Sequence, residues 1–96
     1  MTPRARHTNI IETVHTGFGT LVREDYHGYP KDESNLYLVD SENNVVWFAQ
    51  RAMKDDCYAN PVVPVSQDKI KCFSGKGWEC EIDLKTGRLI SAELVR

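Results

Sequence analysis

The sequence lacks the features that mark several large classes of protein. Its 96 residues contain no run near the ~18 apolar residues that a membrane-spanning helix needs. The opening stretch MTPRARH is basic but leads into no apolar segment, so we expect no secretory signal. Twelve basic residues face fourteen acidic ones, for a net charge of −2. We therefore expect neither a membrane nor a nucleic-acid partner, since nucleic-acid affinity depends on clustered Lys and Arg.

Cysteine is scarce, and its arrangement argues against two common uses. Cys57, Cys72 and Cys80 are an odd number, so they cannot all form disulfides within one chain. The chain has no CxxC or HxxxH spacing, whereas structural zinc sites usually combine at least two such pairs. Together with the missing export signal, this predicts reduced thiols in a cytoplasmic protein, with no metal site and no cofactor.

Helix-forming segments are also scarce, and FAQRAMKDDCYA is expected to give one turn at most. By contrast, NLYLVDSENNVVWFAQR (35–51) reads as strand, turn, strand, because apolar β-prone residues flank the turn formers DSENN. A loop at Ser41–Asn43, with Asn44 left-handed, is a common hairpin solution. Both faces are apolar, which predicts burial on two sides, with Trp47 in the core. The predicted cross-strand pairs are Val39 with Val45 and Tyr37 with Trp47.

A similar pattern returns near the end of the chain, in ECEIDLKTGRLISAEL (79–94). Asp83 takes the place of Asp40, and Gly87 takes the place of Asn44. The offset is about 43 residues, within the range of propeller-blade repeats. Glycine is the best residue for a left-handed position and asparagine the next best. We therefore expect the two hairpins to superpose, with Asn44 and Gly87 both at positive φ.

Two further strand signals precede each copy: NIIETVH and TLVRE before the first, VVPV and KIKCF before the second. The predicted fold class is therefore all-β, with about eight strands in two four-stranded antiparallel meanders. The chain is expected to form a single domain. Its predicted parts are a flexible tail (1–8), a first repeat unit (9–51), a linker (52–60) and a second repeat unit (61–96).

The hairpin in KIKCFSGKGWECEID can be registered from its side chains. A three-residue loop at Gly75–Gly77 pairs Ser74 with Trp78 and gives one apolar face and one face of opposite charges. Pro61 and Pro64 cannot donate to a ladder, so their strand belongs at a sheet edge. The predicted pairs are Cys72 with Cys80, Ile70 with Ile82, Lys71 with Glu81 and Lys69 with Asp83.

The motif LYLVDSENNVVW resembles the repeat of propellers that bind pyrroloquinoline quinone: an apolar-aromatic strand, an aspartate turn and an apolar strand ending in Trp. IDLKTGRLI is similar to the same repeat, with its Thr-Gly turn intact but Ile90 where Trp is usual. The resemblance covers most of residues 35–51 and 78–95. Two blades cannot close a ring of the usual four to eight, so no quinone site carries over. The chain also looks similar to small bacterial proteins with this two-hairpin layout, which implies no activity.

The polar connection REDYHGYPKDESN (23–35) and the linker MKDDCYANP are the candidate sites. Long loops tend to carry function, and tyrosine is favoured at recognition surfaces. The alternatives are a solvated crossover and a plain linker. Carboxylates beside Cys57 disfavour a nucleophilic thiolate. The candidate binding residues are Asp25, Tyr26, His27, Tyr29, Asp55 and Asp56.

Two functions from different classes fit this sequence. The first is a small non-catalytic protein-binding or assembly module, with the profile of a bacterial accessory or immunity-type protein. It would bind a protein partner, or itself, through its sheet edges. The alternative is a small enzyme or ligand-binding domain that uses the 23–35 loop with Asp55 and Asp56. No catalytic signature is recognisable in linear order, so no catalytic residue is assigned and the first function is preferred.

Overall fold

The computed structural model describes residues 3–95, and every regular element within them is a β-strand. This confirms the predicted all-β fold of eight strands. The segment FAQRAMKDDCYA contains no helical turn, and no helix in the described range could span a membrane. The strands are β1 (Ile10–Thr16), β2 (Gly19–Glu24), β3 (Leu36–Val39), β4 (Val45–Phe48), β5 (Val63–Ser66), β6 (Lys69–Phe73), β7 (Trp78–Asp83) and β8 (Leu89–Leu94).

The strands form two four-stranded antiparallel sheets, in the orders β1-β2-β3-β4 and β5-β6-β7-β8. Each sheet is a meander, as predicted, because each strand pairs with its neighbours along the chain. The two sheets pack face to face around one shared core. The first sheet supplies Leu21, Leu36, Leu38 and Trp47 to this core, and the second supplies Ile70, Cys72, Cys80 and Ile82.

The β3–β4 hairpin departs from its predicted register. Val39 does face Val45, but a bulge then pairs Leu38 with Trp47, so the predicted pairing of Tyr37 with Trp47 is wrong. The bulge directs the indole of Trp47 into the core between the sheets, where the residue is 8% exposed. Its predicted place in the core is confirmed.

The left-handed residue of this hairpin is Asn43, with φ of 68°, and not Asn44 as predicted. The N–H of Asn43 donates to the carbonyl of Asp40, whereas in the β7–β8 hairpin the N–H of Gly87 donates to Asp83. The second turn is therefore one residue longer. Gly87 has the expected positive φ, of 74°. The predicted equivalence of Asn44 with Gly87 is wrong, so the hairpins share topology without matching residue for residue.

The β6–β7 hairpin has the predicted register throughout. Cys72 faces Cys80, and the Ser74 N–H donates to the carbonyl of Trp78 at 2.8 Å across the predicted loop. Strand β5, which contains Pro64, lies at the edge of its sheet, as expected for a residue without an N–H. The remaining confirmed pairs are Ile70 with Ile82, Lys71 with Glu81 and Lys69 with Asp83.

A buried carboxylate holds the N-terminal segment on the outer face of the first sheet. Glu24 accepts the backbone N–H groups of Arg6, His7 and Thr8 at 2.6, 3.0 and 2.8 Å. The hydroxyl of Tyr37 donates to the same carboxylate. Three consecutive backbone donors on one carboxylate fix the path of the chain at this point.

Other contacts extend this attachment along the segment. The guanidinium of Arg6 lies 4.9 Å from the centre of the Phe48 ring, within the range of a cation–π contact. Met1 and Thr2 lie outside the described residues. The flexibility predicted for 1–8 stays a prediction, and these contacts argue against it for residues 6–8. The outer face beneath is apolar and buried, at Val22, Tyr37 and Val39.

Candidate binding cleft

A cleft of about 290 Å³ lies where the 23–35 loop and the 52–60 segment meet the turn between β6 and β7. Three larger grooves, of about 600, 460 and 390 Å³, contain none of the six predicted binding residues. The smaller cleft contains four of them, with aromatic and charged side chains together. Its lining residues include Tyr26, Tyr29, Lys31, Glu33, Asp55, Asp56, Cys57 and Lys76.

The side-chain amide of Asn35 holds the 52–60 segment at the cleft, because it forms the same pair of hydrogen bonds that a neighbouring strand would form. The Asn35 side chain accepts the N–H of Tyr58 at 2.8 Å and donates to the Tyr58 carbonyl at 2.9 Å. Its amide nitrogen also donates to the carbonyl of Glu24 at 2.7 Å. Tyr58 in turn forms a bridge with Ser74 of the second sheet. Both the segment and the β6–β7 turn are thereby fixed relative to the 23–35 loop.

Asp56 connects the segment to the β6–β7 turn. One carboxylate oxygen, Oδ1, accepts the N–H groups of Cys57 at 2.8 Å and Lys76 at 3.1 Å. The other oxygen, Oδ2, is buried and has no hydrogen-bond partner within residues 3–95. The preceding residue, Asp55, has φ of 66°, a left-handed conformation that aspartate tolerates at some cost. The cleft wall thus contains both an unsatisfied acceptor and a strained backbone.

Glu33 is by contrast a saturated carboxylate at the other wall. It accepts from the Arg6 guanidinium at 3.1 Å, the Tyr29 hydroxyl at 2.8 Å and the His7 ring at 2.7 Å. Burial opposes its charge, but these hydrogen bonds outweigh that effect and hold the pKa of Glu33 below its usual value. Burial, followed by the bond to Glu33, raises the pKa of Tyr29. The tyrosine therefore stays a neutral donor at neutral pH.

Cys57 lines the same cleft, but its environment does not favour a thiolate. Burial and then the neighbouring charge of Asp56 raise the pKa of the thiol above its usual value. A nucleophilic cysteine needs the opposite shift. The environment of Cys57 in the cleft is therefore not that of a nucleophilic thiol.

The structure brings together four of the predicted binding residues: Tyr26, Tyr29, Asp55 and Asp56. Asp25 and His27 do not line the cleft; they pair with each other, with His27 Nδ1 3.1 Å from Asp25 Oδ1. His27 is three-quarters exposed, and its N–H and ring hold the pKa of Asp25 below its usual value.

Sequence reasoning missed the participation of Gly75 and Lys76. They reach Asp56 only through the bridge between Tyr58 and Ser74, which joins positions sixteen residues apart by number. Linear order contains no signal for that approach. Within the described part of the chain, no group of three His, Cys, Asp or Glu residues could hold a metal ion. Comparison of the chain with family models, curated proteins and solved structures finds no match.

Proposed function

We propose that this protein is a non-catalytic protein-binding module that adds a strand from its partner to the free edge of β8. The observation that carries the proposal is the apolar character of this edge. Ile90 is 47% exposed and Leu94 is 46% exposed, on a six-residue strand without proline or lysine. Natural edge strands usually have such features to prevent pairing, so an edge without them favours strand addition.

The backbone of β8 is suited to accept a strand. The N–H of Val95 donates to the carbonyl of Gly77, next to the start of β7. Residues of an antiparallel strand alternate between bonding inward and facing outward. Ala92 and Leu94 therefore direct their N–H and C=O groups to the open edge, where a partner strand would satisfy them.

Two of the other three edges, β5 and β4, are less open. Strand β5 contains Pro64, which has no N–H. Two residues beyond the end of β4, the N–H of Gln50 donates to the carbonyl of Gly87 at 2.8 Å. The side chain of Gln50 accepts the N–H of Leu89 at 2.8 Å, so the first residue of β8 is already covered. The open part of β8 therefore begins after Leu89.

Charged side chains on the outer face of the second sheet indicate the chemistry of the partner. Glu93 stands opposite Glu79, and like charges across a pair are unfavourable. Lys71 lies 3.8 Å from Glu79, while Glu93 has no ion pair within residues 3–95. If the β8 strands of two copies paired with Glu93 at the centre, the two Glu93 carboxylates would lie side by side, which adds another unfavourable pair of like charges. A partner strand that alternates apolar and basic residues fits better than self-association.

Selection of short random peptides displayed on phage tests this proposal. We expect the selected peptides to alternate apolar residues with Lys or Arg. Ala92→Pro should abolish their binding, because it removes an outward N–H while leaving the bonds to β7 intact. Thr13→Pro is the matched control, since Thr13 is exposed on the edge strand β1.

The same peptides give a second readout in the unmodified protein. Bound peptide should slow hydrogen exchange at the amides of Ala92 and Leu94. Peptides that bind the Ala92→Pro variant as tightly as the native chain would show that β8 is not the binding edge. A cytoplasmic location belongs to the same proposal, since three unpaired thiols are stable in a reducing compartment.

A further inference from the structure

The cleft between the 23–35 loop and the β6–β7 turn supports a second, independent inference. We propose that it binds a primary ammonium group, with the carboxylate of Asp56 as the principal acceptor. This site is separate from the open edge of β8, so either proposal can fail while the other stands.

Asp56 combines burial with an unsatisfied charge acceptor. The residue is 4% exposed, and it lines the cleft. Its Oδ2 has no hydrogen-bond partner within the described chain. A buried polar atom without a partner destabilises a fold, and native proteins seldom contain one without a reason. Less than 1 Å² of Oδ2 is accessible, so a small rotation of the carboxylate must turn this oxygen toward the cleft before a donor from a ligand can provide the missing hydrogen bond.

The geometry at Asp56 favours ammonium over guanidinium. Its Oδ1 already accepts the N–H groups of Cys57 and Lys76, at 2.8 and 3.1 Å. Arginine-like groups bind a carboxylate through a planar fork that uses both oxygens. A primary ammonium is a compact charge with rotatable donors, and it can bind Oδ2 alone.

Other residues of the cleft could contact the remaining donors and the alkyl part of a bound amine. Asp55 lines the cleft and has no ion pair within residues 3–95, so its carboxylate is available for a second donor. Tyr26 and Tyr29 supply aromatic surface, which attracts cations. Two lysines on the same lining, Lys31 and Lys76, oppose the entry of multiply charged cations. The cleft therefore fits one singly charged amine.

Titration of the full chain with n-butylammonium chloride, followed by nitrogen-labelled NMR, tests this site. We expect saturable shifts at millimolar concentrations in the amide signals of Cys57 and Lys76, because both donate to Asp56. Butylguanidinium should bind more weakly, and sodium butyrate should cause no saturable shift at these amides. The absence of saturable shifts with butylammonium would overturn the proposal.

Asp56→Asn is the decisive variant, because it keeps an acceptor for the two backbone N–H groups while removing the charge. Loss of a charged hydrogen bond should weaken butylammonium binding by at least about tenfold. Asp25→Asn is the matched control outside the cleft and should bind as the native chain does. Equal binding by Asp56→Asn and Asp25→Asn would overturn the proposal. If Asp56→Asn does not fold, the shifts and amine preference of the native chain decide the matter.

Discussion

The indole of Trp47, from the first sheet, lies directly over Gly87, in the last turn of the second. A β-carbon built on Gly87 would stand 2.5 Å from Cε3 of the ring. The indole Nε1 also donates to the carbonyl of Leu84 at 3.0 Å. Glycine is therefore required at position 87 for two reasons: the backbone has a positive φ, and the indole ring approaches too closely to leave room for a side chain. The contact joins the two hairpins across the core.

We predict that Gly87→Ala lowers the free energy of unfolding by about 2–4 kcal/mol. The added methyl group would strain a left-handed backbone and force the Trp47 ring to move. Gly17→Ala is the matched control, because no atom lies within 4 Å of its hypothetical β-carbon. Chemical denaturation of both variants measures the difference.

A double-mutant cycle separates the two effects at Gly87. Trp47→Ala alone should cost about 3–5 kcal/mol, as expected for a buried indole. In that background the steric part of the Gly87→Ala penalty should disappear, leaving about 1 kcal/mol from the backbone. Strict additivity of the two substitutions would contradict the packing described here.

The sequence predicted the strands and the β6–β7 register because that hairpin has only one arrangement with consistent faces. Shifting Cys72 away from Cys80 would mix apolar with charged side chains. The β3–β4 hairpin has apolar residues on both faces, so its register had no such constraint. There the bulge that pairs Trp47 with Leu38 depends on packing against the other sheet. Four of the six predicted binding residues do lie together in the cleft, but its assembly depends on long-range contacts that linear order does not reveal.

The second prediction concerns acid stability through Glu24. Burial favours its neutral form, but the N–H of Arg6, the hydroxyl of Tyr37 and the N–H groups of Thr8 and His7 outweigh this and hold the pKa of Glu24 below its usual value. The ionised carboxylate therefore stabilises the fold above the pKa that Glu24 has in the unfolded chain, and the effect is lost as pH falls through the folded pKa. At neutral pH, Glu24→Gln should cost about 1–3 kcal/mol.

The difference between native chain and Glu24→Gln should shrink steadily in acid. Urea denaturation from neutral pH down to acid, with the exposed Glu42→Gln as control, measures it. A difference that stays constant with pH would mean that the charge of Glu24 does not hold the N-terminal segment.

The third prediction concerns Asn35, which is 1% exposed. Asn35→Ala removes three hydrogen bonds, two to Tyr58 and one to the carbonyl of Glu24, and leaves their buried partners unsatisfied. We expect a loss of about 2–4 kcal/mol, together with faster hydrogen exchange in the 52–60 segment. Ser41→Ala, at an exposed turn position, should change neither quantity. Unchanged exchange in the variant would show that the segment is held by other contacts.

The last prediction concerns the thiols of Cys72 and Cys80. The Ser74 N–H donates to the Trp78 carbonyl, so by alternation Cys72 and Cys80 also form a hydrogen-bonded pair. Such pairs have the wider spacing, with α-carbons about 5.5 Å apart, and a disulfide needs β-carbons about 3.5–4.5 Å apart. Burial, and then the neighbouring Cys80, raises the pKa of Cys72, so both groups should stay thiols.

Alkylation under native conditions should therefore modify Cys57, which is partly exposed, and leave the two buried thiols unmodified. After denaturation of freshly isolated protein, all three cysteines should react. Replacing Cys72 and Cys80 together by alanine should cost stability through lost packing alone, without changing peptide binding at β8. A single reactive thiol after denaturation would show instead that Cys72 and Cys80 are bonded, and that the spacing argument for free thiols, or the proposed reducing compartment, is wrong.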